Sequence, residues 1–237
     1  MTLSAFILWL RRYQGWVGLA GFLCTAAGLY LGLVASPPDY YQGDVMRIMY
    51  VHVPLAQMAM LGYGTLAGAS LWYLWKRDPI VDNSAHAAAG LSAFFTAAAL
   101  VTGSIWAKPT WNVWWSWDPR LVSFTIQLLI LIGYLMLRKF IEEPDRQARF
   151  SAVLAITGVV NLVIVKFSVE WWRSLHQPAS IKPDGISYAP DMLLPLMVTS
   201  IGFLFLFTYM LVLRTQLLYL RQLLDAKKGR LLSKAHL

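Results

Sequence analysis

The chain is built from long apolar blocks separated by short polar interruptions, and each block is close to a bilayer's thickness in helical length. About 20 residues at 1.5 Å rise cover the roughly 30 Å of hydrocarbon, so block length, rather than an amphipathic period, carries the signal. Six blocks stand out, at 16–34, 50–75, 85–106, 121–137, 151–167 and 192–213. The third is rich in Ala and the fifth is short. The pattern predicts an all-α polytopic membrane protein with six transmembrane helices. What remains between the blocks is too short for a separate soluble domain, so residues 1–237 form one integral membrane domain, ending in a basic tail at 214–237.

Composition agrees: 58% of residues are apolar and only 14% are charged, against roughly 25% in an ordinary soluble domain. The net charge of +8 would suggest nucleic acid in a soluble protein, but here its distribution explains it. One set of loops and segment ends begins with Arg11 and Arg12, continues through Lys76, Arg77, Arg138 and Lys139, and joins the basic tail. The other set holds only Arg47, Lys108, Arg120, Arg173 and Lys182. Positive charge collects on the cytoplasmic side, which predicts both termini inside. The tail from Arg221 onward suits anionic lipid or a cytoplasmic partner.

No cleavable signal peptide is expected, because the first apolar block is too long and no small-residue cleavage site follows it. Cys24 is the single cysteine and reads as a small core residue. It allows no internal disulfide, and no Cys-x-x-Cys-His run is present for covalent haem attachment. Gly28/Gly32 and Gly64/Gly68 have the spacing that lets helices approach closely.

With the amino terminus inside, the connections at 35–49, 107–120 and 169–191 face outward, and these carry the chemically interesting residues. The inner stretches KRDPIVDNSA and RKFIEEPDRQAR read as solvated charge, with Pro79 and Pro144 as turn markers. His86 and His236 belong to that inner side. Outward lie His52, in RIMYVHVPLAQ, and His176, in SVEWWRSLHQ. Each has a bland reading as an interfacial side chain, and Pro54 as a first-turn proline. Trp171 and Trp172 suit an interfacial belt, and Lys166 with Glu170 an i,i+4 ion pair at the membrane boundary.

Between them lies TWNVWWSWDPRL, with Trp111, Trp114, Trp115 and Trp117 followed by Asp118 and Arg120. In a helical turn Trp111, Trp114 and Trp115 would share one face, continued by Asp118, and offer a planar ligand an aromatic shelf. Alternatively the tryptophans anchor the protein at the interface, Asp118 caps a helix starting at Pro119, or Asp118 pairs with Arg120. Two neutral imidazoles suit the axial positions of a haem iron. Arg47 and Arg120 are the outward arginines best placed to fork onto carboxylates.

WNVWWSWDPRL resembles the tryptophan-rich WWD signature of membrane haem-handling proteins, roughly W-G-x-W-W-x-W-D-x-R-L. Together with MYVHVP, SVEWWRSLHQ, the short length and six spans, the chain resembles the CcmC family of cytochrome c maturation proteins, the haem exporter C proteins, from about residue 39 to 210. The larger cytochrome c haem lyases have more spans and more histidines, and fit less well. The resemblance implies that haem b is held at the periplasmic face of a bacterial inner membrane and delivered to the haem chaperone CcmE. It implies an ABC transporter pair, CcmA and CcmB, and the small membrane protein CcmD as partners. It assigns His52 and His176 as axial ligands, Trp111, Trp114, Trp115 and Trp117 as the platform, and Asp118 and Arg120 as the rest of the signature. Asn112 stands where the family has glycine, which puts the local backbone in question.

No enzymatic activity is expected. With no G-x-x-x-x-G-K-[ST] phosphate loop in the chain, nucleotide hydrolysis would fall to the partner transporter. Three other readings stand beside this one. A membrane cytochrome b would usually ligate haem from histidines inside its helices, often in more than one pair. A small-solute transporter is suggested by Lys166 inside a segment, although no repeat or interrupted helix accompanies it. A structural subunit would use its tryptophans only as anchors. Replacing Lys166 by Ala is expected to be mild.

Overall fold

The computed structural model describes Trp9 and residues 12–177, 181–182, 185–186 and 189–235. Arg11 and His236 lie outside the described residues. The chain is all-α, and the strands among the described residues are one small antiparallel pair, Ile181–Lys182 with Gly185–Ile186. Helix α1 (Gln14–Tyr30) widens into a π-helical turn at Leu31–Ala35. A 3-10 turn, Asp44–Ile48, leads into α2 (Met49–Lys76). Then follow α3 (Pro79–Trp111), α4 (Pro119–Phe140), α5 (Pro144–Thr157), α6 (Val159–Trp171) and α7 (Pro190–Ala235).

Among the described residues, five spans are long and apolar enough to cross a membrane: Gln14–Ala35, Pro79–Trp111, Pro119–Phe140, Pro144–Trp171 and Pro190–Lys228. The 28-residue α2 is the sixth member of the bundle, packed most extensively against α3. The six blocks of the sequence are therefore present as a multi-pass helical bundle, with different ends.

Those ends have local causes. Asp78 is extended and its carboxylate accepts the Ile80 N–H at 2.9 Å, while Pro79 takes the first helical position, where its missing N–H is harmless. Helix α3 thus begins inside the stretch read as a solvated loop, and Pro144 likewise opens α5. Pro79 and Pro144 are helix starts rather than turn markers. Pro54 is not a first-turn proline either: α2 begins at Met49, so Pro54 lies inside it.

The charge at this end of the bundle is not simply solvated. Arg138 on α4 forks onto Asp82 on α3 at 2.7 and 2.6 Å, with both side chains largely buried. Such a bidentate pair fixes orientation between helices more than it adds net stability. The basic tail continues α7, which runs as one helix through Ala235.

The fifth span is broken at Gly158. Tyr63 Oη donates to the Ala155 carbonyl at 3.1 Å, engaging the acceptor that the Val159 N–H would use in a continuous helix. A Cβ at Gly158 would overlap the Tyr63 hydroxyl, so only glycine fits there. Small residues join α1 to α7: a Cβ at Gly28 would run into the Thr199 backbone, and one at Gly202 into that of Thr25. Without a hydrophobic drive between helices in lipid, this close approach is a main source of association. Gly64 and Gly68 face open space and make no such contact. One buried cluster includes Leu55, Met58, Phe95, Phe124 and Val165, the last two of which also line the cavity described next.

Candidate functional site

Where α3 ends, Asn112 adopts φ 60° and ψ 15°, the left-handed conformation that stops the helix. Among non-glycine residues asparagine accepts this region most readily, so it serves at the motif's usual glycine position. The tryptophans beyond it do not form a helical turn. Residues 112–118 are irregular, so the single aromatic face expected from helical spacing is not made. Trp111, the last residue of α3, turns inward, while Trp114, Trp115 and Trp117 are 59%, 38% and 84% exposed. Trp115 and Trp117 meet edge to face with centroids 6.0 Å apart.

Asp118 ends the motif and is only 4% exposed. Its Oδ1 accepts the Arg120 N–H at 2.9 Å and so caps α4. Its Oδ2 accepts from Ser174 Oγ at 2.6 Å and from the Leu175 N–H at 2.8 Å. His176 Nδ1 lies 3.0 Å from Oδ1, and the His176 N–H donates to Ser174 Oγ at 3.0 Å. One carboxylate therefore caps a helix and fastens to it the loop carrying His176. Burial works against ionisation of Asp118, yet the bonds from Ser174, Leu175 and Arg120 and the nearby imidazole hold its carboxyl below the usual range. An ionised Asp118 only accepts, so His176 carries its proton on Nδ1 and leaves Nε2 as a lone pair. Burial pushes the His176 imidazole below its ordinary range, with Asp118 opposing and Arg120 assisting, so the ring is held neutral. Trp111 packs edge-on against that ring, centroids 4.9 Å apart.

His52 on α2 is fixed by a parallel device. Its Nδ1 lies 3.0 Å from Thr102 Oγ1 on α3, and that hydroxyl donates to the Ala98 carbonyl at 2.8 Å. With its hydrogen committed to Ala98, Thr102 accepts from His52, which places the proton on Nδ1 and again frees Nε2. Trp106 stands edge-on to the ring at 5.7 Å and donates its indole N–H to Gln42 Oε1 at 2.9 Å. Gly103 leaves room for the imidazole, since a Cβ there would come 3.0 Å from Cε1.

Both histidines line one cavity of about 280 Å³, together with Trp111, Arg120, Lys166 and Gln57 on walls otherwise formed by residues such as Met60, Leu100 and Phe124. Such an apolar pocket with a few convergent polar groups is the usual form of a ligand site. It extends down α2 from His52 to Met60, about 12 Å at 1.5 Å per residue. Gln57 and Lys166 are exposed, so the cavity reaches the bundle surface between α2 and α6, which pack only lightly together. The ion pair expected between Lys166 and Glu170 is not made; Lys166 belongs to the cavity wall instead.

Of the nine residues singled out in the sequence, His52, His176, Trp111 and Arg120 line the cavity, and Asp118 stands behind His176. Trp114, Trp115 and Trp117 do not line it. Arg47 lies elsewhere: its guanidinium donates to the Leu33, Val34 and Ser36 carbonyls, the last at 2.9 Å, and pairs with Asp44 at 3.0 Å. It ties off the π-helical end of α1. Thr102, Trp106 and Ser174 were not singled out, and nothing local marks them, because each reaches its partner across 50 or more residues of chain.

Comparison with known proteins concerns the chain as a whole. The family described as heme exporter protein C matches residues 2–230. A heme exporter protein C of Bradyrhizobium diazoefficiens is 42% identical over 205 residues, covering 86% of this chain and 78% of that protein. A ccmC-like mitochondrial cytochrome c biosynthesis protein of Marchantia polymorpha is 38% identical over 206 residues, 87% of each. The heme exporter protein C of Escherichia coli K12 is 36% identical over 205 residues, 86% of this chain and 83% of that one. Over nearly its whole length, then, this chain belongs to the haem exporter protein C family.

Proposed function

We propose that the protein holds haem b at the periplasmic surface of a bacterial inner membrane and hands it to the chaperone CcmE during cytochrome c maturation. The observation that carries this reading is one cavity lined by two imidazoles, each held through Nδ1, the tautomer that leaves Nε2 as a lone pair. Among the described residues no group of three His, Cys, Asp or Glu could hold a bare metal ion. Two imidazoles suit an iron that already has four porphyrin nitrogens and needs only its axial positions filled. Carboxylate-backed and hydroxyl-backed rings are typical of metal-binding histidines, because the partner fixes both tautomer and orientation.

Trp111 supplies a rigid aromatic wall, and Arg120 a guanidinium with no described side chain bonded to it, suited to a propionate. Trp114, Trp115 and Trp117 form an exposed aromatic rim beside this site, where an arriving chaperone would meet the ligand's edge. Arg47 acts at one remove in this reading, by fixing the turn that leads into α2 and His52. The charge distribution supports cytoplasmic termini and an outward site. A system of CcmA, CcmB and CcmD would supply the nucleotide-driven step, while this chain contributes orientation and electrostatics and leaves bond-making to the cofactor and chaperone. A cavity that reaches the bundle surface favours cargo over a permanently housed electron carrier.

The test is transfer. The purified protein is loaded with haem b, mixed with the soluble domain of CcmE, and followed for haem leaving one protein and becoming covalently bound to the other. Transfer on mixing is the expected result. Haem that stays bound and only cycles reversibly with a quinone would instead indicate a membrane cytochrome b.

A further inference from the structure

Lys166 is a cation in the wall of a mostly apolar cavity, on a membrane-spanning helix, and no described side chain pairs with it. Arg120, the other cation lining the cavity, is equally without a direct partner for its guanidinium. The acids near by are accounted for: Asp118 is taken up by His176, Ser174, Leu175 and the α4 cap, and Glu170 comes only within electrostatic range of Arg120. A charge in a spanning helix is costly, and it normally faces a partner or a ligand path. Two cations facing one apolar cavity with no carboxylate of their own describe a receptor for a ligand carrying two negative charges.

We propose that Lys166 is a specificity-determining residue that binds one carboxylate of the ligand while Arg120 binds the other, so that the site selects dianionic metalloporphyrins over uncharged ones. This rests on the haem reading above and sharpens it. The two cations come from different helices, α6 and α4, and line the same cavity. Holding the ligand's carboxylate edge at two points fixes its rotation in the plane of the ring. An ammonium on a flexible four-carbon stem can follow the ligand as it enters from the side where Lys166 is exposed.

The experiment compares haem b with its dimethyl ester, which has the same iron and ring but no propionate charge. Each is titrated into detergent-solubilised wild-type protein and into the variants Lys166→Met and Lys166→Arg, with binding read from the Soret band. Wild-type protein is expected to prefer haem b over the ester by about a hundredfold, the effect of two charge-assisted hydrogen bonds at about tenfold each. Lys166→Met should lose on the order of tenfold toward haem b and nothing toward the ester. Lys166→Arg should restore the preference. Unchanged haem b affinity in Lys166→Met overturns the proposal, as does an equal fall for both ligands that arginine does not rescue. Wild-type protein that binds neither ligand overturns the haem reading itself, and this proposal with it.

Discussion

Replacing Asp118 by Asn would disturb a helix cap, a loop anchor and an imidazole together, because all four donors converge on one buried carboxylate. Asparagine keeps one acceptor oxygen and puts an NH2 group where the other was. Whichever way the amide turns, that group faces donors: Ser174 Oγ–H and the Leu175 N–H on one side, the Arg120 N–H and His176 Nδ1–H on the other. A hydrogen bond to an ionised acceptor contributes about 1.5–3 kcal/mol, so the pair at one oxygen amounts to about 3–6 kcal/mol before the loop relaxes. The loop, rather than the helical bundle, absorbs this loss, and His176 moves with it. A carboxylate behind a metal-bound imidazole is typically worth about 10- to 100-fold in affinity, or about 1.4–2.8 kcal/mol. Asp118→Asn should therefore raise the haem concentration for half-maximal Soret absorbance by that factor, while the thermal loss of helical circular dichroism stays near wild type. In a His176→Ala background the same substitution should add less than about 0.5 kcal/mol, because its effect runs through that ring. Undiminished haem affinity in Asp118→Asn, or full additivity with His176→Ala, would refute the reasoning.

Thr102→Val keeps the side-chain shape but removes the acceptor for His52 Nδ1–H, and should weaken haem binding several-fold to about tenfold, whereas Thr102→Ser should not; a Soret titration of both variants checks this. Trp111→Ala should lower haem affinity because the ring lines the cavity and supports His176, while Trp117→Ala should leave affinity unchanged and slow only the transfer to chaperone. Equal effects of the two on equilibrium loading would contradict the division between wall and rim. The pH dependence follows from the two depressed groups at the loop. The His176 contribution is complete above its unfolded value near 6.5 and is lost as pH falls through its lower folded pKa. That of Asp118 is complete above about 3.9 and lost below it. Haem retention should hold from pH 8 down past 6.5 and decay only on the acid side, so half-loss at pH 7 or above in a Soret titration would count against it.

The bundle was legible because long apolar blocks have few alternatives, but its ends were read unevenly. The Asp-Pro pair at Asp118 and Pro119 was read as a possible helix start, and the same pair at Asp78 and Pro79 as a turn, although both cap helices in the same way. Helical spacing misled at the tryptophans, since it presumes an unbroken turn and Asn112 interrupts it. The two histidines were found through short local motifs. Their supports were not, because Thr102, Trp106 and Ser174 reach His52, Gln42 and Asp118 across 50 or more residues of chain. Lys166 shows the same limit: Glu170 lies at the right interval for a pair, yet the neighbouring helices draw Lys166 into the cavity wall.

Haem capture in the proposed function depends on His52 and His176 gripping the same iron. The most direct measurement is the visible spectrum of haem-loaded protein for the wild type, His52→Ala, His176→Ala and the double variant. A six-coordinate low-spin spectrum is expected in the wild type, weakened haem retention in each single variant, and no bound haem in the double variant. A wild-type low-spin Soret band surviving in the double variant would contradict that dependence.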